Sequence, residues 1–124
     1  MQRDMELIRK ILFKIEDTID NIGKNNLQIE GYTLEQVAYH CSILYEGGYI
    51  HVCNVQYSGN KVHLFCVGRL TWEGHEFLDK IREDTIWKKT KETISEKGLP
   101  FVFDIVKSVS TEIIAGVVKG FVSL

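Results

Sequence analysis

Proline is almost absent from this chain: Pro100 stands alone among 124 residues. With ten glycines, the composition excludes long Pro/Gly-rich disordered linkers. Cysteine is scarce as well. Cys41, Cys53 and Cys66 are odd in number and form no close-spaced pair, which excludes a disulfide framework and fits free thiols in a reducing cytoplasm. Charges at Arg3, Asp4, Glu6, Arg9 and Lys10 exclude a secretory signal at the N-terminus. No uninterrupted apolar run is long enough to span a bilayer. The net charge of −2 gives no global attraction to nucleic acid or to an anionic membrane. Catalytic signatures are missing too: there is no Gly-rich phosphate loop after a strand, no HExxH and no nucleophile elbow. A non-enzymatic protein without a cofactor is expected.

What is present is enough for one core. A chain of 124 residues buries about two thirds of its unfolded surface. Met5, Ile8, Leu12, Ile15, Ile19 and Ile22 alternate steps of three and four, the period of one helical face, and Ile11 widens the stripe. Asp4 reads as the N-cap of this helix and Gly23 as its stop. LQIEGY, residues 27–32, reads as a short strand. Thr33 with Gln36 has capping-box form and opens a second helix, which Gly47 and Gly48 end. Leu34, Val37, Cys41 and Leu44 form its inner face, while Gln36, Tyr39, His40 and Ile43 point outward. Residues 50–57 and 62–69 read as paired strands around a turn at Ser58-Gly59-Asn60. Thr71 caps a third long helix expected to run to Lys97, with Gly98-Leu99-Pro100 as its stop. A last apolar helix occupies 101–124.

Helix, glycine stop, hairpin, helix is the order of a winged helix-turn-helix. In such proteins the helix before the hairpin enters the major groove and the wing approaches the backbone. The expected groove-facing residues are Gln36, Tyr39, His40 and Ser42, with Lys61 at the wing tip and Arg69 at its base on phosphate. Phosphate contacts need donors and positive charge. Between residues 33 and 70 only Lys61 and Arg69 supply it, and Glu35 and Glu46 flank the helix. Trp87, Lys88, Lys89 and Lys91 form a second basic patch, suited either to single-strand stacking or to a solvated face around a core tryptophan. His40-Cys41, His51-x-Cys53 and His63-x-x-Cys66 match no structural zinc spacing, so no metal is expected.

The C-terminal apolar face is too wide for a lone surface helix. It can complete the core, form a homodimer, or lie on a membrane or partner. A homodimer is the favoured reading, through Ile105, Val109, Ile113, Gly116, Val117, Gly120 and Phe121; the Gly116-x-x-x-Gly120 spacing permits close helix approach.

MQRDMELIRKIL, EGYTLEQVAYHCSILYEGGYI and RLTWEGHEFLDKIREDTIWKKTK together resemble domain-of-unknown-function family 2513, an uncharacterised bacterial and phage-associated family. The three segments span about residues 1–91. The resemblance implies a small cytoplasmic protein from a bacterium or mobile element and supplies no catalytic residues. VAYHCSILYEGGYI also looks like the reading helix and first wing strand of winged-helix regulators, although the short helix that usually precedes the reading helix is not evident between Ile22 and Thr33. The expected fold is α+β: a winged helix-turn-helix-like domain over 1–98, with a two- or three-stranded wing sheet, and an added C-terminal apolar helix over 99–124. The expected function is macromolecular recognition. Either the protein is a regulator bound to double-stranded DNA, or it is a protein-interaction module that kept the scaffold and lost the charge.

Overall fold

The computed structural model describes residues 1–19 and 23–120. It is an α+β protein with five helices and one three-stranded antiparallel sheet among the described residues. The elements run α1 (Met5–Thr18), β1 (Lys24–Asn25), α2 (Leu34–Glu46), β2 (Cys53–Ser58), β3 (Lys61–Val67), α3 (Trp72–Ile81), α4 (Asp84–Glu96) and α5 (Phe103–Val118). The chain forms two compact units, Met1–His75 and Glu76–Leu124. The division falls inside α3.

In the first unit α1 begins as expected. Asp4 Oδ1 accepts from the backbone N–H groups of Glu6 and Leu7, satisfying two donors that the helix cannot pair internally. Met5, Ile8, Ile11, Leu12, Ile15 and Ile19 are buried, and so is Leu7, which widens the face further. Ile22 lies outside the described residues. The helix ends at Thr18, before Gly23. Gly23 serves the sheet instead. A Cβ there would meet Cys66 Sγ at 2.9 Å and the Val67 carbonyl oxygen at 3.0 Å, so the missing side chain lets the chain lie against β3.

The expected strand at 27–32 is displaced. The pairing segment is Lys24–Asn25, opposite Val67 and Cys66. Asn26 then leaves the extended region at φ 49° and replaces the next strand residue with its own atoms. Its N–H donates to the Phe65 carbonyl at 2.7 Å, and its Oδ1 accepts from the Phe65 N–H at 2.9 Å. Asparagine tolerates the left-handed conformation through such local bonding. Leu27 follows, fully buried.

The sheet order is β1-β3-β2. Gln56 pairs with Leu64 and Tyr57 with Val62, so His63 is an extra residue in β3. That bulge changes the strand period locally. Val62, Phe65 and Val67, which a regular alternation cannot place on one face, are all buried. Cys53 and Val55 of β2 are half-buried beside them in the pairing. Burial and then the nearby Cys66 push the Cys53 thiol up to about 11, and burial pushes Cys41 higher still. At pH 8 Cys53 therefore holds about 100-fold less thiolate than a thiol at 9.0. Iodoacetamide at pH 8 is expected to modify Cys41 and Cys53 only after denaturation, with folded-state labelling of Cys53 rising as the pH approaches 11. Rapid labelling of folded protein at pH 8, read by peptide mass, would contradict this burial.

The α2 helix stops in a Schellman motif. Gly48, at φ 81°, lets its N–H reach the Tyr45 carbonyl while the Tyr49 N–H reaches that of Leu44. Thr71 then starts α3: its Oγ accepts from the Gly74 N–H and donates to the Gly48 carbonyl.

The expected single helix from Thr71 to Lys97 is two helices. The apolar stripe of α3 is Phe77, Leu78 and Ile81, all buried. The buried set of α4 is Trp87, Thr90 and Ile94. At 3.6 residues per turn these stripes differ in phase by about half a turn. One continuous helix cannot bury both, and the chain breaks at Arg82–Glu83. Thr85, between the two stripes in chain order, is exposed.

In the second unit α4 packs on α5. Phe103 stacks on Phe77 at 5.1 Å between centroids and Phe101 on Trp87 at 5.7 Å. The last helix is shorter than expected, Phe103–Val118. Gly120, at φ 78°, donates to the Val117 carbonyl and terminates it. Gly116 lies within the helix and Gly120 closes it. No described helix is long and apolar enough to cross a membrane.

Candidate recognition surface

The sequence pattern has α2 presenting Gln36, Tyr39, His40 and Ser42 to a partner. Tyr39 is 40% exposed and fits. His40 does not: it is 2% exposed. Its Nδ1 lies 2.7 Å from the Gln36 carbonyl oxygen, and its Nε2 2.9 Å from the Asp4 backbone nitrogen. The carbonyl can only accept and the Asp4 N–H can only donate. Nδ1 therefore carries the proton and Nε2 accepts. His40 joins α2 to the first turn of α1 and has no atom to offer a groove. The physical reason is the Asp4 N–H at the start of α1, which the helix cannot pair internally and the imidazole satisfies.

Gln36 and Ser42 are also committed to their own helix. Gln36 Oε1 accepts from the Thr33 N–H at 2.9 Å, and the Thr33 Oγ accepts from the Gln36 N–H at 3.1 Å, the expected capping box. The Ser42 hydroxyl donates to the Tyr39 carbonyl at 2.6 Å. The charged residues of α2 are Glu35 and Glu46 alone. Lys61 and Arg69 are exposed at the tip and base of the hairpin. In the second unit Lys88 is exposed on α4, while Lys89 and Lys91 are half-buried. Lys91 Nζ lies 5.5 Å over the Trp87 ring, which is itself buried. Trp87 is thus a core residue of its unit and not a stacking platform.

Of the residues expected at a dimer interface, Ile105, Val109, Ile113, Gly116 and Val117 are half-buried on α5, and Gly120 is its terminator. Phe121 lies outside the described residues. Phe103, Val106 and Ser110 are the buried positions of α5.

The aromatic surface of the first unit is only partly legible in the sequence. Tyr45 is 49% exposed, Tyr57 66% and Trp72 77%. Trp72 is the first residue of α3, and Tyr45 stands three residues before Gly48, so the two flank the Gly48–Thr71 hydrogen bond. The cap at Thr71 is the available signal, since a residue at the first helical position projects away from the body of the helix.

Beside α2 the connector 26–32 and α1 enclose a groove. Tyr32 is held there by its hydroxyl, which donates to Asp4 Oδ2 at 3.4 Å, and by Lys10 Nζ, 5.4 Å from its ring centroid. Partial burial, then the Asp4 carboxylate, pushes its phenol above the ordinary value. Among the described residues no cluster of three His, Cys, Asp or Glu side chains could hold a metal ion.

The family model for hypothetical proteins DUF2513 matches residues 2–100. An uncharacterised protein of Haemophilus influenzae (strain ATCC 51907 / DSM 11121 / KW20 / Rd) is 38% identical over 118 residues, covering 93% of this chain and 97% of the relative. No solved structure matches. The matched region runs from the α1 cap through the hairpin to the end of α4, and the chain belongs to the hypothetical-protein family DUF2513.

Proposed function

We propose that Met1–His75 is a winged helix-turn-helix-like module whose reading helix, α2, docks on a protein and not in the major groove. The scaffold reading is supported by the element order helix, strand, helix, hairpin and by the sheet order β1-β3-β2, in which the first strand joins the returning wing strand. One observation carries the choice of partner. Gln36, His40 and Ser42, the side chains best suited to read bases from α2, are bonded to the chain itself, and the helix adds only Glu35 and Glu46 as charge. Such a surface repels phosphate and presents aromatic area through Tyr39, Tyr45 and Trp72.

The DNA reading keeps one supporting feature, the exposed Lys61 and Arg69 of the hairpin. Two phosphate contacts would give a salt slope of about −2, far below that of a groove-bound regulator. The test is binding of the full chain to a generic labelled duplex across a salt series. The expected result is no binding at low salt. Tight binding that weakens steeply with salt, and is lost in Lys61→Ala/Arg69→Ala, would overturn the protein-docking reading in favour of DNA.

A further inference from the structure

We propose that the free edge of β2 pairs with the β2 edge of a second copy of this chain, joining the two sheets antiparallel across a two-fold axis at Val55. The sheet order β1-β3-β2 leaves β2 outermost, and Asn54, Gln56, Tyr57 and Ser58 on it are exposed. The direction of its backbone groups follows from β3. The Phe65 N–H and carbonyl both bond Asn26, on the β1 side. Val55 stands opposite Phe65, so its own N–H and carbonyl point the other way, off the sheet. The Val52 carbonyl accepts from the Gly68 N–H, which fits the same alternation: even-numbered residues of this strand turn toward β3. Cys53 and Tyr57 therefore also turn their backbone groups outward, since the extra residue of the bulge lies in β3. Among the described residues none of these outward groups has a hydrogen-bond partner.

Edge strands that stay single are protected by lysines, prolines or a bulge of their own. Residues 50–60 contain no Lys, Arg, Asp, Glu or Pro, in a chain that is 26% charged, and the bulge is in β3. That neutrality suits the strand itself as the mate. A two-fold brings the strand against itself, so a net charge on it would meet the same charge. Centred on Val55, the pairing uses every outward residue: Val55 meets Val55 of the second copy, and Cys53 meets Tyr57. Asn54 lies opposite Gln56, amide to amide, and Val52, 45% exposed, opposite Ser58. Tyr57, 66% exposed, covers the half-buried Cys53 of the other copy. Association stops at two copies. The opposite edge is the two-residue β1, after which Asn26 leaves the extended region, so it offers no second template.

Sedimentation velocity of the full chain, from about 1 to about 500 µM, is expected to show a monomer–dimer equilibrium with a Kd of about 10 µM, in the weak range of a strand-edge contact. Amide exchange of the same protein is expected to slow with concentration at Cys53, Val55 and Tyr57 and to stay unchanged at Lys24 and Asn25 on the other edge. Asn54→Lys/Gln56→Lys sets like charges opposite each other on both sides of the axis and is expected to raise Kd at least about tenfold. Asn54→Lys/Gln56→Glu sets opposite charges there instead and is expected to hold Kd within about threefold of the parent. Both residues are exposed, so both variants keep the fold. A parent that stays monomeric at about 500 µM would overturn the proposal, as would exchange at Val55 that ignores concentration. A dimer unaffected by Asn54→Lys/Gln56→Lys would place the contact on another surface and overturn the β2 edge. Equal losses in the two variants would overturn the register centred on Val55.

Discussion

Gly74→Ala is expected to lower the stability of the protein by about 3 kcal/mol, although alanine is the better helix former. Gly74 lies in the first turn of α3, and a Cβ built there falls onto the carbonyl oxygen of Tyr49. That carbonyl is not free to retreat. It accepts from the Thr71 N–H at 3.0 Å, and the Tyr49 N–H donates to the Leu44 carbonyl at 2.8 Å to close α2. Thr71 in turn binds the Gly48 carbonyl and caps Gly74. A methyl group at residue 74 must therefore separate the end of α2 from the start of α3. Overpacking of this kind costs about 1–3 kcal/mol, and the strained backbone bond adds about 1. The gain in helix propensity returns about 1 kcal/mol, so the clash wins. For a chain of this size the melting temperature should fall by about 10 °C. Gly31→Ala is the control. Gly31 has φ 88°, and a Cβ there would have nothing within 4 Å, so only the left-handed backbone penalty of about 1 kcal/mol applies. Circular dichroism melts of both variants decide between the two outcomes. A Gly74→Ala protein that melts at or above its parent would show that α3 is not seated on the Tyr49 carbonyl.

Gly74 also marks where sequence patterns stop being informative. Periodicity and caps locate α1, the α2 start at Thr33, the double-glycine stop and the hairpin turn, because each depends on residues within one helical turn or one hairpin. The glycine in LTWEGHEFL reads as a mild defect in a helix until Tyr49, 25 positions earlier in chain order, is brought against it. The displaced first strand has the same origin. LQIEGY alternates well, yet pairing belongs to Lys24–Asn25, because Gly23 permits close approach and Asn26 can replace a strand residue with its side chain. The break after Ile81 is legible in principle: the apolar phase jumps by about half a turn between Ile81 and Trp87, although no glycine or proline announces it. The groove is not legible, since Lys14 and Lys24 come from different elements and no local spacing relates them.

His40→Ala is the second large effect, and it separates the two ways of reading α2. A histidine on the outer face of a recognition helix can be removed with little loss of stability and with loss of binding. The buried His40 makes the opposite prediction. Its removal leaves the Asp4 N–H and the Gln36 carbonyl without their imidazole partner and opens a void between α1 and α2. An unsatisfied buried group costs about 1–3 kcal/mol, and the lost packing adds to it, for a total of about 3 kcal/mol. His40→Phe keeps most of the volume and should recover only the packing share. Tyr39→Ala, one residue away but 40% exposed, should change stability by less than about 0.5 kcal/mol. Urea unfolding of the three variants measures the contrast. If His40→Ala unfolds at the parent midpoint, the imidazole is not the link between the α1 cap and α2, and it returns to the set of residues available for contact. If it is destabilised while Tyr39→Ala is not, the helix has one face that builds the fold through His40 and another that is free for a partner through Tyr39.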